Sequence, residues 1–208
     1  MVGVVCMQEP MTTGERAGRQ PWRVPVHPVE RLGSGARTVF LLASAAMLGE
    51  LTVAFGSLER GFVGVVPASL EKMARLTSRA GVTAMRSSLE SSPDGVATFE
   101  RALIVDMIYP AVYCGLGILL GTAVHRGKGR VLGRAGAWLL TITFLFDHLE
   151  NLFLWREISG TIGSWEPRVA WSFHGLKWLT GLVGGVIVII SLAWILPSKA
   201  KLDERRTP

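Results

Sequence analysis

Four stretches of the chain run without the polar interruption at every third or fourth position that marks an amphipathic helix of a soluble protein. They cover 38–56, 102–124, 135–155 and 170–196, and their charges are few: Glu50, then Asp106, then Asp147 with Glu150, and last Lys177. Each approaches or exceeds the roughly 20 apolar residues that a helix needs to cross a bilayer. This pattern predicts an all-α fold, an integral membrane four-helix bundle spanning residues 37–197.

The intervening segments are polar. Residues 1–36 hold Pro10, Pro21, Pro25 and Pro28 among charges, which predicts a flexible basic tail. The apolar start, Met1 to Cys6, is too short for a signal peptide, and Met1 and Met11 are both candidate starts. The long connection 57–101 contains helix-start signals at Pro67-Ala68-Ser69 and at Ser92-Pro93-Asp94. Leu70, Met73 and Leu76 follow the first as a partly amphipathic stretch, so a helical loop is expected between spans 1 and 2. The short connection with Arg126, Lys128, Arg130 and Arg134 is purely basic, and the flank with Arg31 and Arg37 and the tail 198–208 with Lys199, Lys201, Arg205 and Arg206 carry more basic than acidic residues. The excess of positive charge on cytoplasmic segments then places both termini in the cytoplasm and the helical loop outside. The expected location is the plasma membrane, crossed several times.

Composition agrees with this pattern. The chain is 49% hydrophobic and 18% charged, against about a quarter charged in an average soluble domain. The formal charge of +6 comes from basic residues flanking the apolar runs, and no basic face forms, so nucleic acid is not an expected partner. Cys6 and Cys114 lie in different environments and define no disulfide framework.

The ionisable residues within the spans fall near one depth. Counted from the outward ends, Glu50, Asp106, Asp147, Glu150, Asn151, His174 and Lys177 all lie about 6–12 Å below the outer edge. Asp106, Tyr109, Pro110 and Tyr113 share one helical face, Asp147, Glu150 and Asn151 another, and His174 and Lys177 a third. Charge facing lipid is costly, so these faces are expected to turn toward one another. Two readings remain open. In one, Lys177, Asn151 and the tyrosines satisfy the carboxylates as a structural network. In the other, four carboxylates against one lysine mark an outward-facing pocket for a small molecule or a lipid headgroup.

Other chemistry finds little support. Neither His148 nor His174 follows a glutamate by three residues, His148 points about 100° away from Asp147, and no metal site is expected. Phosphate-binding loops, nucleophile motifs and paired cysteines are lacking, so no cofactor is expected. Gly117-x3-Gly121, Gly181-x3-Gly185 and Ala45-x3-Gly49 would let helices approach closely, within one bundle or in a homodimer or larger membrane complex. Pro110 is expected to bend the second span beside Asp106 and free a carbonyl.

From about Leu70 onward the chain resembles an uncharacterised family of small bacterial four-span integral membrane proteins. The resemblance is carried by Asp106-x-x-Tyr109-Pro110-x-x-Tyr113, Asp147-x-x-Glu150-Asn151 and Lys177-Trp178. It implies the fold and the polar set, and no activity. Membrane lipids are the expected surroundings and a small molecule or lipid the expected ligand. An enzyme using carboxylate acid/base chemistry on a lipid-like substrate, or an accessory subunit of a membrane complex, are the alternatives.

Overall fold

The computed structural model describes residues 24–60, 69–124, 127–160 and 163–193. Among them the chain is all-helical: a 3-10 turn at Pro28–Arg31, then α1 (Ser34–Arg60), α2 (Leu70–Ala74), α3 (Arg79–Ser91), α4 (Gly95–Ala123), α5 (Gly127–Ser159) and α6 (Glu166–Ala193). Three helices are long and apolar enough to cross a membrane: Ser34–Leu58 of α1, α4 and α6. α5 is the longest, but its apolar run is broken by Asp147, His148, Glu150 and Asn151. The first 23 residues of the expected tail, and the segment 198–208, lie outside the described residues.

α5 occupies the centre. It packs along α4 on one side and α6 on the other, while α1 packs against α4 and α4 touches α6 only briefly. Glycines set the closest approaches. A Cβ at Gly121 would lie 2.7 Å from the carbonyl oxygen of Gly133, and one at Gly136 would lie 3.0 Å from that of Gly184. Close backbone contact of this kind is how helices associate where lipid removes the hydrophobic drive. Of the expected small-residue pairs, Gly117 and Gly121 both serve as foreseen, and Gly181 does so against Thr143. A Cβ at Gly117 would collide with the Leu140 side chain, and one at Gly181 would lie 3.2 Å from that of Thr143. Gly184 takes the role assigned to its neighbour Gly185, and Gly185 and Gly49 face open space.

The densest core lies at one end. Leu70, Met73, Val82, Met85, Leu89, Phe99, Leu103, Leu154 and Ile158 are buried together, drawn from α2, α3, α4 and α5. Ser69 Oγ accepts the Lys72 amide (3.2 Å) and caps α2 as its start signal indicates. Ser78 caps α3 in the same way through Gly81. α4 begins two residues later than expected: Pro93 stands before the N-cap instead of in the first turn, and Asp94 occupies the cap position with φ 56°. The chain there is so tight that a Cβ at Gly95 would collide with the Leu89 carbonyl.

The opposite end is held by polar contacts. Arg37 donates to the Thr122 carbonyl at 2.6 Å, joining α1 to α4. Residues 24–33, expected to be part of the flexible tail, lie against α5. Glu30 accepts two bonds from Arg134 (2.6 and 2.7 Å), His27 Nε2 meets Thr141 Oγ1 at 3.0 Å, and Trp138 donates to the Pro25 carbonyl. The Arg134 guanidinium holds the Glu30 carboxyl below its ordinary range, against the opposing effect of burial.

Candidate functional site

The site forms where α5 presents Asp147, Glu150 and Asn151 between its two neighbours. From α6, Lys177 Nζ reaches Asp147 Oδ1 at 2.5 Å and Glu150 Oε2 at 2.8 Å, so one ammonium bridges two carboxylates. His174 Nδ1 lies 3.1 Å from Glu150 Oε1. From α4, the Tyr113 hydroxyl donates to Asp147 Oδ2 at 2.9 Å. Asp147 and Glu150 are each only 2% exposed. The spacing of three and four residues therefore does what it implies: it puts all of these groups on facing helical sides.

Asn151 has a role the spacing alone does not reveal. Pro110 is buried inside α4 and has no N–H to give to the carbonyl four residues earlier, that of Asp106. Asn151 Nδ2 donates to that carbonyl at 3.2 Å. It thus serves the backbone of α4 in addition to the Asp106 carboxylate it was expected to help satisfy. Its Oδ1 is buried without a hydrogen bond.

Between α4 and α6 opens a cavity of about 900 Å³, near the top of the usual 300–1,000 Å³ range for ligand pockets. Asp106, Tyr109, Tyr113, Asp147, Glu150, His174 and Lys177 lie around it with Trp178. Its remaining walls are largely apolar, including Leu116, Leu120, Leu140, Leu182, Val188 and Ile189, and Gly117, Gly181 and Gly185 give it width. Phe55 of α1 stacks on Tyr109 (ring centroids 6.3 Å apart), and Tyr109 meets Tyr113 at 5.5 Å. Glu71 of α2 and Leu70 stand at the cavity from the capped end.

Of the nine residues singled out from the sequence, seven line this cavity and Asn151 is buried beside it. Glu50 does not join them. Thr52 and Phe55 are the side of α1 that meets Tyr109, and Glu50 lies about 140–160° around the helix from both. It is exposed. His148 turns aside as expected, its Nδ1 3.0 Å from the Phe144 carbonyl. Thr143 is a lining residue that the pattern reading missed. It bonds Thr180 at 2.9 Å across α5 and α6, and nothing in its local sequence distinguishes it from other threonines in the long helices. Among the described residues no three His, Cys, Asp or Glu side chains are placed to hold a metal ion.

No protein-family model matches the chain, and neither the curated proteins nor the solved structures contain a significant match. The functional reading therefore rests on the site itself.

Proposed function

We propose that this is a four-span plasma-membrane protein that holds an amphipathic ligand, a small molecule or lipid, in the cavity between α4 and α6. In this reading α5 is the remaining span. Its polar groups are turned to α4 and α6, which spares them lipid contact and explains why its apolarity alone does not mark it as spanning. The α2–α3 cap lies outside, and the arginines at the other end, Arg37, Arg130 and Arg134, lie on the cytoplasmic side with both termini.

The single observation that carries the proposal is the composition of the cavity wall along its length. An apolar track lined by Leu120, Leu182 and Ile189 leads to a crown of Asp106, Asp147, Glu150, His174 and Lys177. A structural network would need only the ion pairs. It would not by itself call for a groove that runs from the charged crown along Leu120, Leu182 and Ile189, a shape that fits a headgroup with an apolar chain. Gly185→Phe tests the reading, because a side chain there enters open space without meeting the ion pairs. The full chain is purified in neutral maltoside, denatured, and its bound species identified by mass spectrometry. One amphiphile should be enriched with the parent protein and lost from Gly185→Phe. Identical profiles from both proteins would refute a ligand in this cavity.

A further inference from the structure

The charge around the cavity is not balanced by its own ion pairs. Asp106, Asp147 and Glu150 form the crown, and among the described residues that line the cavity Lys177 is the sole lysine or arginine. Its ammonium already serves both Asp147 and Glu150. Glu71, the fourth acidic lining residue, pairs with Arg75 on its own helix. Among the described residues Asp106 enters no ion pair, and Glu150 Oε2, though close to the ammonium, is buried outside hydrogen-bond geometry. Three carboxylates against one ammonium leave a formal excess of two negative charges with His174 neutral, and of one if the His174 imidazole beside Glu150 carries a proton, so negative charge prevails in either state.

The second observation is the company Asp106 keeps. Tyr109 and Tyr113 rise from the same face of α4, and Phe55 extends the row by stacking on Tyr109. All three rings line the cavity with Asp106, and Trp178 lines it from α6. Aromatic faces attract cations, most effectively where water is scarce, and rings grouped about an acid are how quaternary ammonium groups are recognised. An anionic headgroup in this crown would meet carboxylates at close range, and a neutral one would leave the excess charge uncompensated.

Resting on the reading of the cavity as an amphiphile site, we propose that its ligand is cationic. An amine or quaternary ammonium headgroup sits between Asp106 and the rings of Tyr109 and Tyr113, with its apolar chain along Leu120, Leu182 and Ile189. The charge of the headgroup, supplied by the ligand, completes the balance that Lys177 begins.

The test uses the full chain in neutral maltoside, with binding read from the shift in thermal unfolding over a titration. Decyltrimethylammonium is compared with decyl sulfate and decanol, which share its chain, and with tetramethylammonium, which lacks it. Decyltrimethylammonium should bind at least about tenfold tighter than either chain-matched probe, and tetramethylammonium should compete at least about tenfold more weakly than it. Asp106→Asn should erase most of the preference for the cation while leaving decanol binding unchanged. Should that variant fail to fold, Tyr109→Leu serves instead, with an expected loss of several-fold for decyltrimethylammonium alone. Gly185→Phe should abolish binding of every chain-bearing probe. Equal binding of the three decyl probes, still lost in Gly185→Phe, would overturn the cationic headgroup and leave the amphiphile site standing. Tetramethylammonium competing as well as its decyl counterpart would overturn the role of the chain. No saturable binding by any probe would overturn both readings together.

Discussion

Lys177→Met removes one ammonium from between two carboxylates that are each 2% exposed, while keeping a side chain of similar length. Taking one partner from a buried ion pair leaves charge without compensation and costs about 3–5 kcal/mol. Tyr113 and His174 retain their contacts with Asp147 and Glu150, at 2.9 and 3.1 Å, so the lower half of that range is the better expectation. Set against a typical unfolding free energy of about 5–15 kcal/mol, the loss is large enough to be unmistakable. The triple variant Lys177→Met, Asp147→Asn, Glu150→Gln removes the charges along with their partner. It should recover most of the lost stability, because neutral replacement of a whole buried charge set is often harmless. The assay is reversible unfolding in maltoside by titration with dodecyl sulfate, followed by far-ultraviolet circular dichroism. Lys177→Met within about 0.5 kcal/mol of the parent, a change typical of an exposed side chain, would refute the buried bridge. A triple variant no better than the single one would refute the view that isolated charge is what destabilises.

Three further outcomes follow from individual contacts. Pro110→Ala restores an N–H to the Asp106 carbonyl, so Asn151→Leu should cost about 1–3 kcal/mol in the parent and distinctly less in the Pro110→Ala background; equal costs in a double-mutant cycle would remove the link between the two residues. Glu157 is buried with neither carboxyl oxygen hydrogen-bonded, and burial followed by the charge of Glu166 pushes its pKa from 4.5 up to about 8. Its folded form thus favours the proton, a contribution fully present below about 4.5 and lost as pH rises toward 8, at up to about 1.4 kcal/mol per pH unit; the stability gained by Glu157→Gln should grow over that interval, and a gain independent of pH would contradict it. For Glu30 the sign is opposite, since its lowered pKa makes the Arg134 contact fully stabilising above the unfolded value near 4.5 and lost as pH falls through the folded one. At neutral pH Glu30→Gln should speed hydrogen exchange in residues 24–33, an effect absent if the segment is held by His27 and Pro25 alone.

Much of the site could be read from helical spacing. Asp106, Tyr109 and Tyr113, then Asp147, Glu150 and Asn151, then His174 and Lys177 each define a direction on one helix, and the directions converge. Glu50 failed because it was judged by depth alone. A depth says nothing about the angle around the helix axis, and the first span has no second ionisable group to mark a side, while the side that does face the cavity is marked only by Thr52. The same ambiguity separates Gly184 from Gly185: a glycine run fixes the helix that approaches closely, while neighbours about 100° apart compete for the contact. α3 was legible in principle, with Val82, Met85 and Leu89 on one side and Ser78 before them, but the start signals at Ser69 and Ser92 drew the reading. The pinning of residues 24–33 was not legible, because Glu30 and Arg134 are 104 positions apart and proline content alone suggests a free tail. The service of Asn151 to the carbonyl that Pro110 frees joins two motifs that the sequence displays separately.

The claim that matters most is that the space between α4 and α6 is occupied by an amphiphile. Photo-crosslinking tests it most directly, using a decyltrimethylammonium analogue with a diazirine at the chain end and the full chain in maltoside. Labelling should saturate and fall on cavity-lining peptides containing Leu120, Leu182 or Ile189, with excess unlabelled decyltrimethylammonium and Gly185→Phe each suppressing it. Labelling that never saturates, spreads to Phe40 and Val53 of α1, which are about as exposed as Leu182 and Ile189 but lie away from the cavity, and ignores Gly185→Phe would contradict the account.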